Sequence, residues 1–444
     1  MSSAETALYE RPGELLGRLI RFDTTNPPGN ERACIQFIEG LLGNAGLETR
    51  TIAKDPQRPN LIARMPGRGV APPLLLQGHV DVVTTAGQQW SRDPFAGTIE
   101  DGWVHGRGAL DMKGGVAMML AALLRARASR FEPPGDVIFC ALCDEEATSS
   151  FGARFLIETH PELFESVRFA IGEFGGASMQ IAGRRLYPIA VAEKAVCTVR
   201  ATVHGVGGHG ALPLRRGAIA RLAAVLRTLD RRRLPVHFTP AACAGIGGVA
   251  DSVPPPASLM LRALLRPRLT DFVLDRLGAR GRVFDAALHN TVNATILRGG
   301  DKVSVIPSEV SVDLDGRVLP GQRPEQLIAE LGTLVGRDIE LEIVMSEPPG
   351  PAVPAMGLFD VLAEVLHDAD PKGIPTPMLM PNVSDGRFFA RLGIQSYGFT
   401  PMRLPPDFDF PSTIHAADER IPVDAVEFGT TCMLRVLERF GRAT

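Results

Sequence analysis

The chain has 444 residues, 45% of them hydrophobic and 22% charged, with 47 Lys+Arg against 50 Asp+Glu for a net charge of -3. This is the composition of a soluble globular protein of about two to three domains, which excludes disorder and collagen. The near balance of charge advertises neither a nucleic-acid partner nor an anionic membrane.

No apolar run reaches the roughly 20 residues of a membrane helix, and Met1-Ser2-Ser3-Ala4-Glu5-Thr6 lacks a basic region followed by an apolar one. The chain therefore reads as cytoplasmic. Its six cysteines, scattered through apolar segments, fit buried thiols in a reducing compartment. Cys140 and Cys143 have C-x-x-C spacing, but on a strand such positions face opposite ways and cannot chelate together. The arginines between 215 and 233 follow an amphipathic pattern over Ala218 to Leu229 and read as a solvated face.

In chain order, residues 11–45 hold two helices around the turn-rich loop Phe22 to Asn30, the second helix from Glu31 to Ala45. Asn60 to Met65 and Leu74 to Val83 read as strands, and a hairpin is expected within 97–105. The glycine-dense turn Gly106-Arg107-Gly108-Ala109-Leu110-Asp111 then leads into a buried helix from Gly114 to Arg127. Residues 136–143 form a strand, a helix capped by Ser149 or Ser150 runs to Glu158, and Phe169-Ala170-Ile171 ends a fourth strand. Near 187 the pattern changes. A long alternating strand from Val191 to Val203, a helix over 216–230, strands at 291–298 and 309–318, a helix over 324–335 and a strand at 338–345 make a β-α-β-β-α-β order, the ferredoxin-like split motif. Residues 235–290 fit no motif. The proline-rich stretch Glu347 to Pro354 returns the chain, and helix 357–369, the loop Asn382 to Arg387, strand 394–399 and helix 423–440 complete the first unit.

The expected fold is thus α/β: a mixed, mainly parallel sheet with helices on both faces, over 1–186 and 349–444, interrupted at 187–348 by a ferredoxin-like α+β domain. Ligands of open α/β sheets gather outside the carboxyl ends of parallel strands. Three apolar runs here empty into polar clusters: His79 with Asp81, Asp144-Glu145-Glu146, and Glu173. With Asp111 and a late His415 they offer nitrogen and oxygen donors without a thiolate, which favours a catalytic over a closed structural zinc site. Asp81, on the same strand face as His79, is placed to accept the histidine's other N–H. The consecutive Glu145 and Glu146 cannot point the same way, so one is free to take a proton while the other ligates.

In this order, Gly78-His79-Val80-Asp81, Gly106-Arg107-Gly108 with Asp111-Met112-Lys113-Gly114-Gly115, Asp144-Glu145-Glu146, Glu173 with Gly175-Gly176, and His415, the chain resembles the aminoacylase, glutamate carboxypeptidase, acetylornithine deacetylase and succinyl-diaminopimelate desuccinylase family of co-catalytic zinc amidohydrolases. The resemblance implies two zinc ions, with cobalt or manganese as possible substitutes, bridged by Asp111. His79 and Glu173 would complete one metal, Glu146 and His415 the other; Glu145 would be the general base and Asp81 would orient His79. It further implies a cis peptide after Asp111 and an inserted domain that acts as lid and forms a homodimer, bringing His209 across to steady an oxyanion. Asn293 and Arg317 resemble the family's lid residues for substrate, and Asp385 and Arg387 its substrate-side loop. For Arg317 a salt bridge with Asp313 or Asp315 stands as the alternative to a substrate carboxylate. Gly172 and Phe174 depart from the usual pattern around the fourth ligand. The implied reaction is cleavage of an amide bond in an N-acyl amino acid or small peptide with a free carboxylate, with no nucleic-acid or membrane partner. Deacylase, carboxypeptidase and dipeptidase stay open, as does a non-catalytic binding role.

Overall fold

A computed structural model describes residues 8–443 of the chain. The residues Met1 to Thr6 read above lie outside the described residues. Nine strands form one sheet, ordered 48–53, 59–65, 137–142, 74–79, 169–172, 395–398, 184–193 and 373–380, with Met179–Ile181 paired to Arg184–Glu193. The four middle strands Val137–Leu142, Leu74–His79, Phe169–Gly172 and Gln395–Gly398 run parallel. The first two of these are buried at every position, because helices cover both faces. One face packs the largely buried helix Lys113–Ala128 with Val423–Arg439, and the other carries the helices Ala153–Thr159 and Gly386–Ala390. All three polar clusters therefore leave the same carboxyl edge of the sheet.

The smaller sheet is antiparallel, ordered 291–298, 309–318, 195–204 and 340–346. The helices Ala218–Arg231 and Pro324–Val335 cover one face, with Leu222, Val225, Leu327 and Leu331 packed on Cys197, Val199, Ala201 and Val312. Strict alternation of burial along Ala195–His204 is what the period-two pattern demanded. This is the ferredoxin-like arrangement expected from the order of elements.

Three expectations are corrected. The strand read as Val191 to Val203 is two strands: Arg184–Glu193 belongs to the large sheet and Ala195–His204 to the small one. The line drawn at 187 thus falls inside a strand of the large sheet. The break is at Lys194, whose amide bonds the Met380 carbonyl and whose buried ammonium donates to Ala286 O, His289 O and Thr291 Oγ1. The stretch 235–290 is helical, and Pro240–Ser252 brings Ala241, Ala242, Ile246 and Ala250 into the large unit's core. Finally, helix Ala153–Thr159 starts at Gly152, not at a serine. Ser149 instead donates its hydroxyl to Asp385 Oδ1 at 2.7 Å.

Candidate metal centre

His79 ends its strand fully buried, with Nδ1 2.9 Å from the main-chain carbonyl of Asp81. That carbonyl can only accept, so Nδ1 carries a proton and Nε2 is the nitrogen that would offer its lone pair to a cation. Nε2 stands 3.3 Å from Asp111 Oδ1 and 3.2 Å from Glu173 Oε2. On the other side, His415 Nε2 lies 3.1 Å from Asp111 Oδ2 and 3.3 Å from Glu146 Oε1. Each oxygen of Asp111 therefore faces a different histidine. The peptide Asp111-Met112 is cis.

The role expected of the Asp81 carboxylate falls to its backbone. The chain turns after His79, so the carbonyl of residue 81 reaches Nδ1 while the carboxylate stays 3.6 Å away. The carboxylate instead accepts from the amides of Glu145 and Glu146, at 3.2 and 3.1 Å, and from Asn26 Nδ2 at 2.9 Å. It thereby fixes the turn that splits the two glutamates. Donor atoms of His79, Glu145 and Glu173 lie within 4.8 Å of one another, as do those of His79, Asp111 and Glu146.

Several supporting residues carry no signal in the sequence. Glu419, fully buried, accepts from the amides of Gly108, Leu110 and Asp111 and pairs with Arg107 at 2.6 Å. Arg107 in turn reaches Gln88 and the carbonyl of His415. That contact, with one from Gln88 Nε2 at 2.6 Å, holds His415 at a φ of 61°, a conformation non-glycine residues adopt only when their surroundings dictate it. Glu419 sits in the polar run Ala416-Ala417-Asp418-Glu419-Arg420, which reads locally as a surface turn.

Among the described residues, the segment 195–346 places no side chain in the metal-competent groups. His209 is exposed on a two-residue strand and takes the Ala211 amide at its own Nδ1. Asn293 is exposed, and Arg317 forks onto Asp315 at 2.8 and 3.1 Å, which is the salt-bridge alternative. Asp385 and Arg387 do approach: Arg387 Nη1 lies 3.6 Å from Glu145 Oε1, and its Nε 2.7 Å from Glu347. At Gly172 a Cβ would come within 2.0 Å of Gln77 Nε2, which accounts for the departure there. Phe174 adopts φ 54° ahead of two positive-φ glycines.

The donor set fits divalent cations. Imidazoles and carboxylates converge, and Glu173 Oε1 is buried with no hydrogen-bond partner among the described residues, a costly arrangement without a cation. Burial, partly offset by His79, pushes Glu173 up to about 8. Hydrogen bonds to Asp111 and Glu146 raise His415 to about 10. Burial opposes the charge on His79, yet Glu173, Asp111 and Asp81 outweigh it and lift its pKa. Raised pKa values mean that the metal-free centre holds protons near neutrality, which an arriving cation must displace. Loading near pH 7.5 is therefore expected to release protons, and apparent affinity to climb as pH rises toward those two values. Calorimetry in buffers of different ionisation enthalpy checks this; a heat independent of buffer would refute it.

Residues 75–439 match the family model Peptidase family M20/M25/M40. The chain is 27% identical over 365 residues to human N-fatty-acyl-amino acid synthase/hydrolase PM20D1, across 80% of this chain and 71% of that protein. It is 33% identical over 301 residues to the succinyl-diaminopimelate desuccinylase of Methylobacterium nodulans, across 64% and 73%. The M20 family metallo-carboxypeptidase Sso-CP2 from Sulfolobus solfataricus superposes with a TM-score of 0.66 at 19% identity, covering 99% of this chain and 100% of that one. Together with a metal-competent cluster on the carboxyl edge of the sheet, the match across most of its length means that the chain belongs to peptidase family M20/M25/M40.

Proposed function

We propose that the protein is a di-zinc amidohydrolase that removes the acyl group from an N-acyl amino acid, or the terminal residue from a small peptide, whose free carboxylate it recognises. The observation that carries this reading is Asp111, one oxygen toward His79 and the other toward His415, beside a part-buried glutamate, Glu145, that is left free to take a proton when Glu173 and Glu146 serve as the two outer carboxylate ligands. His79 and Glu173 would hold one ion, Glu146 and His415 the other, and Asp111 both. Bound zinc, or cobalt or manganese in its place, would supply Lewis acidity for the scissile carbonyl and lower the pKa of attacking water.

The remaining steps belong to the chain. Glu145 accepts the proton of the attacking water and passes it to the leaving nitrogen; burial and then the charge of Glu173 raise its pKa toward the range a proton shuttle needs. Asp81 holds the Glu145 amide and so aims the carboxylate. Arg387 flanks Glu145 on the substrate side, with Asp385 behind it. We further infer a homodimer through the smaller, lid-forming unit, whose edge strand Thr291–Arg298 exposes Ile296 and Leu297, with His209 of a second copy steadying the oxyanion. Asn293 and Arg317 would meet substrate only on lid closure. The six cysteines, all free of disulfides, support a cytoplasmic setting. No helix among the described residues is long and apolar enough to cross a membrane.

Names of relatives support both a deacylase and a carboxypeptidase. Metal-loaded protein given a mixture of N-acyl amino acids and dipeptides is expected to release free amino acids, read by mass spectrometry. Full metal occupancy with no turnover of any member would favour a non-catalytic binding protein instead.

A further inference from the structure

We propose that the cavity beside Glu173 holds an apolar acyl chain of the substrate, with Gln77 donating to the acyl carbonyl at its head; this rests on the acylase reading above. The cavity measures about 560 Å³ and lies between strand Arg184–Glu193, the short helix Gly386–Ala390 and the return linker 347–355. That volume lies within the range of small-molecule sites, which are mostly apolar with a few placed polar groups.

Apart from Glu173, the charged groups in its wall are already engaged. Glu193 accepts from the amide and hydroxyl of Ser384, each at 2.8 Å. Lys194 donates to three oxygens at 2.8 to 3.1 Å, Arg387 pairs with Glu347 at 2.7 Å, and Arg391 with Glu158 at 3.3 Å. Much of the rest of the lining is apolar, from Ala192 on the strand to Val353 among the linker's prolines, which stiffen that wall, and the Gln395 side chain in it is bonded to main-chain groups of Val191, Ser396 and Ala355. Besides Glu173 Oε1 on the candidate metal ligand and the atoms of the Arg387–Glu347 pair, one polar atom is unengaged: Gln77 Nε2, on a side chain only 2% exposed, has no hydrogen-bond partner among the described residues. Any side chain at position 172 would displace it, since a Cβ there would lie 2.0 Å from that nitrogen. The glycine and the orphan amide are one feature, a donor kept open beside a metal-competent carboxylate.

Such a space suits an uncharged chain with one acceptor at its head. Of the substrate's two halves only the acyl group is uncharged. The amino-acid half carries a carboxylate, for which the wall keeps no uncommitted cation, since Lys194, Arg387 and Arg391 are each bonded already.

The test is a series of N-acyl-leucines from acetyl to dodecanoyl, hydrolysed by the metal-loaded protein. For wild type, kcat/KM is expected to climb about fourfold per methylene until the space is filled. Ala192→Phe, and separately Val353→Trp on the exposed linker, are expected to cut the ratio of long-chain to acetyl kcat/KM by about 10- to 100-fold. Gln77→Leu is expected to lower kcat/KM by roughly threefold to tenfold at every chain length without lowering the melting temperature, since it removes an unpaired donor. A merely structural Gln77 would instead lower the melting temperature and leave kcat/KM in place. A flat or falling series, or an unmoved ratio in variants that keep the wild-type melting temperature and metal content, would overturn the pocket assignment while leaving the acylase reading intact. No turnover at any length would overturn both.

Discussion

Replacing Glu145 by Gln is expected to lower kcat by a factor on the order of 10² to 10⁴ while fold and metal content stay unchanged, the usual size of a general-base contribution. The substitution is nearly isosteric, and the Glu145 amide that bonds Asp81 at 3.2 Å is untouched, so the turn keeps its shape. What is lost is the carboxylate that takes the proton. Metal analysis must accompany the kinetics, because an oxygen of Glu145 lies within 4.8 Å of donors on His79 and Glu173. Should the variant lose an ion, Glu145 is a ligand, Glu146 becomes the candidate base, and the proposed roles of the pair are reversed.

The second large effect is structural. Glu419→Ala is expected to destabilise the protein by about 3–5 kcal/mol, the cost of stranding one partner of a buried ion pair. Arg107, 1% exposed, would lose its 2.6 Å partner, and the amides of Gly108, Leu110 and Asp111 would lose their acceptor. Because Arg107 also bonds the His415 carbonyl, metal affinity should fall with stability. Urea unfolding of the metal-free form separates the two effects. Arg107→Ala combined with Glu419→Ala should cost less than the sum of the singles. An unfolding midpoint equal to wild type in Glu419→Ala would show that the pair does not brace the loop.

The sequence alone determined the sheet edge on which His79, the Asp144 to Glu146 cluster and Glu173 stand, because each follows a short apolar run whose meaning is local. It also determined the order of the smaller unit, since alternation along 195–204 and 309–318 is written residue by residue. The tertiary structure decided the rest. Gly373–Met380 is a strand at the end of the large sheet's order, but Pro375 and Pro377 hide it, as proline is tolerated chiefly at sheet edges. With that strand hidden, the helix Pro240–Ser252 that packs against it had no visible partner. Lys194 breaks a strand without glycine or proline because its acceptors lie 92 to 97 residues away. Glu419 reads as surface until Arg107, 312 residues earlier, is folded against it. Asp81 was legible as a polar group near the site and Ser149 only as a possible helix cap; which atom of Asp81 meets His79, and that Ser149 meets Asp385, depended on how the backbone turned. Apolar periodicity is fixed by neighbours a few positions apart, whereas the pairing of buried polar groups is fixed only when distant segments meet, which is why the donors of the candidate centre were readable and their supports were not.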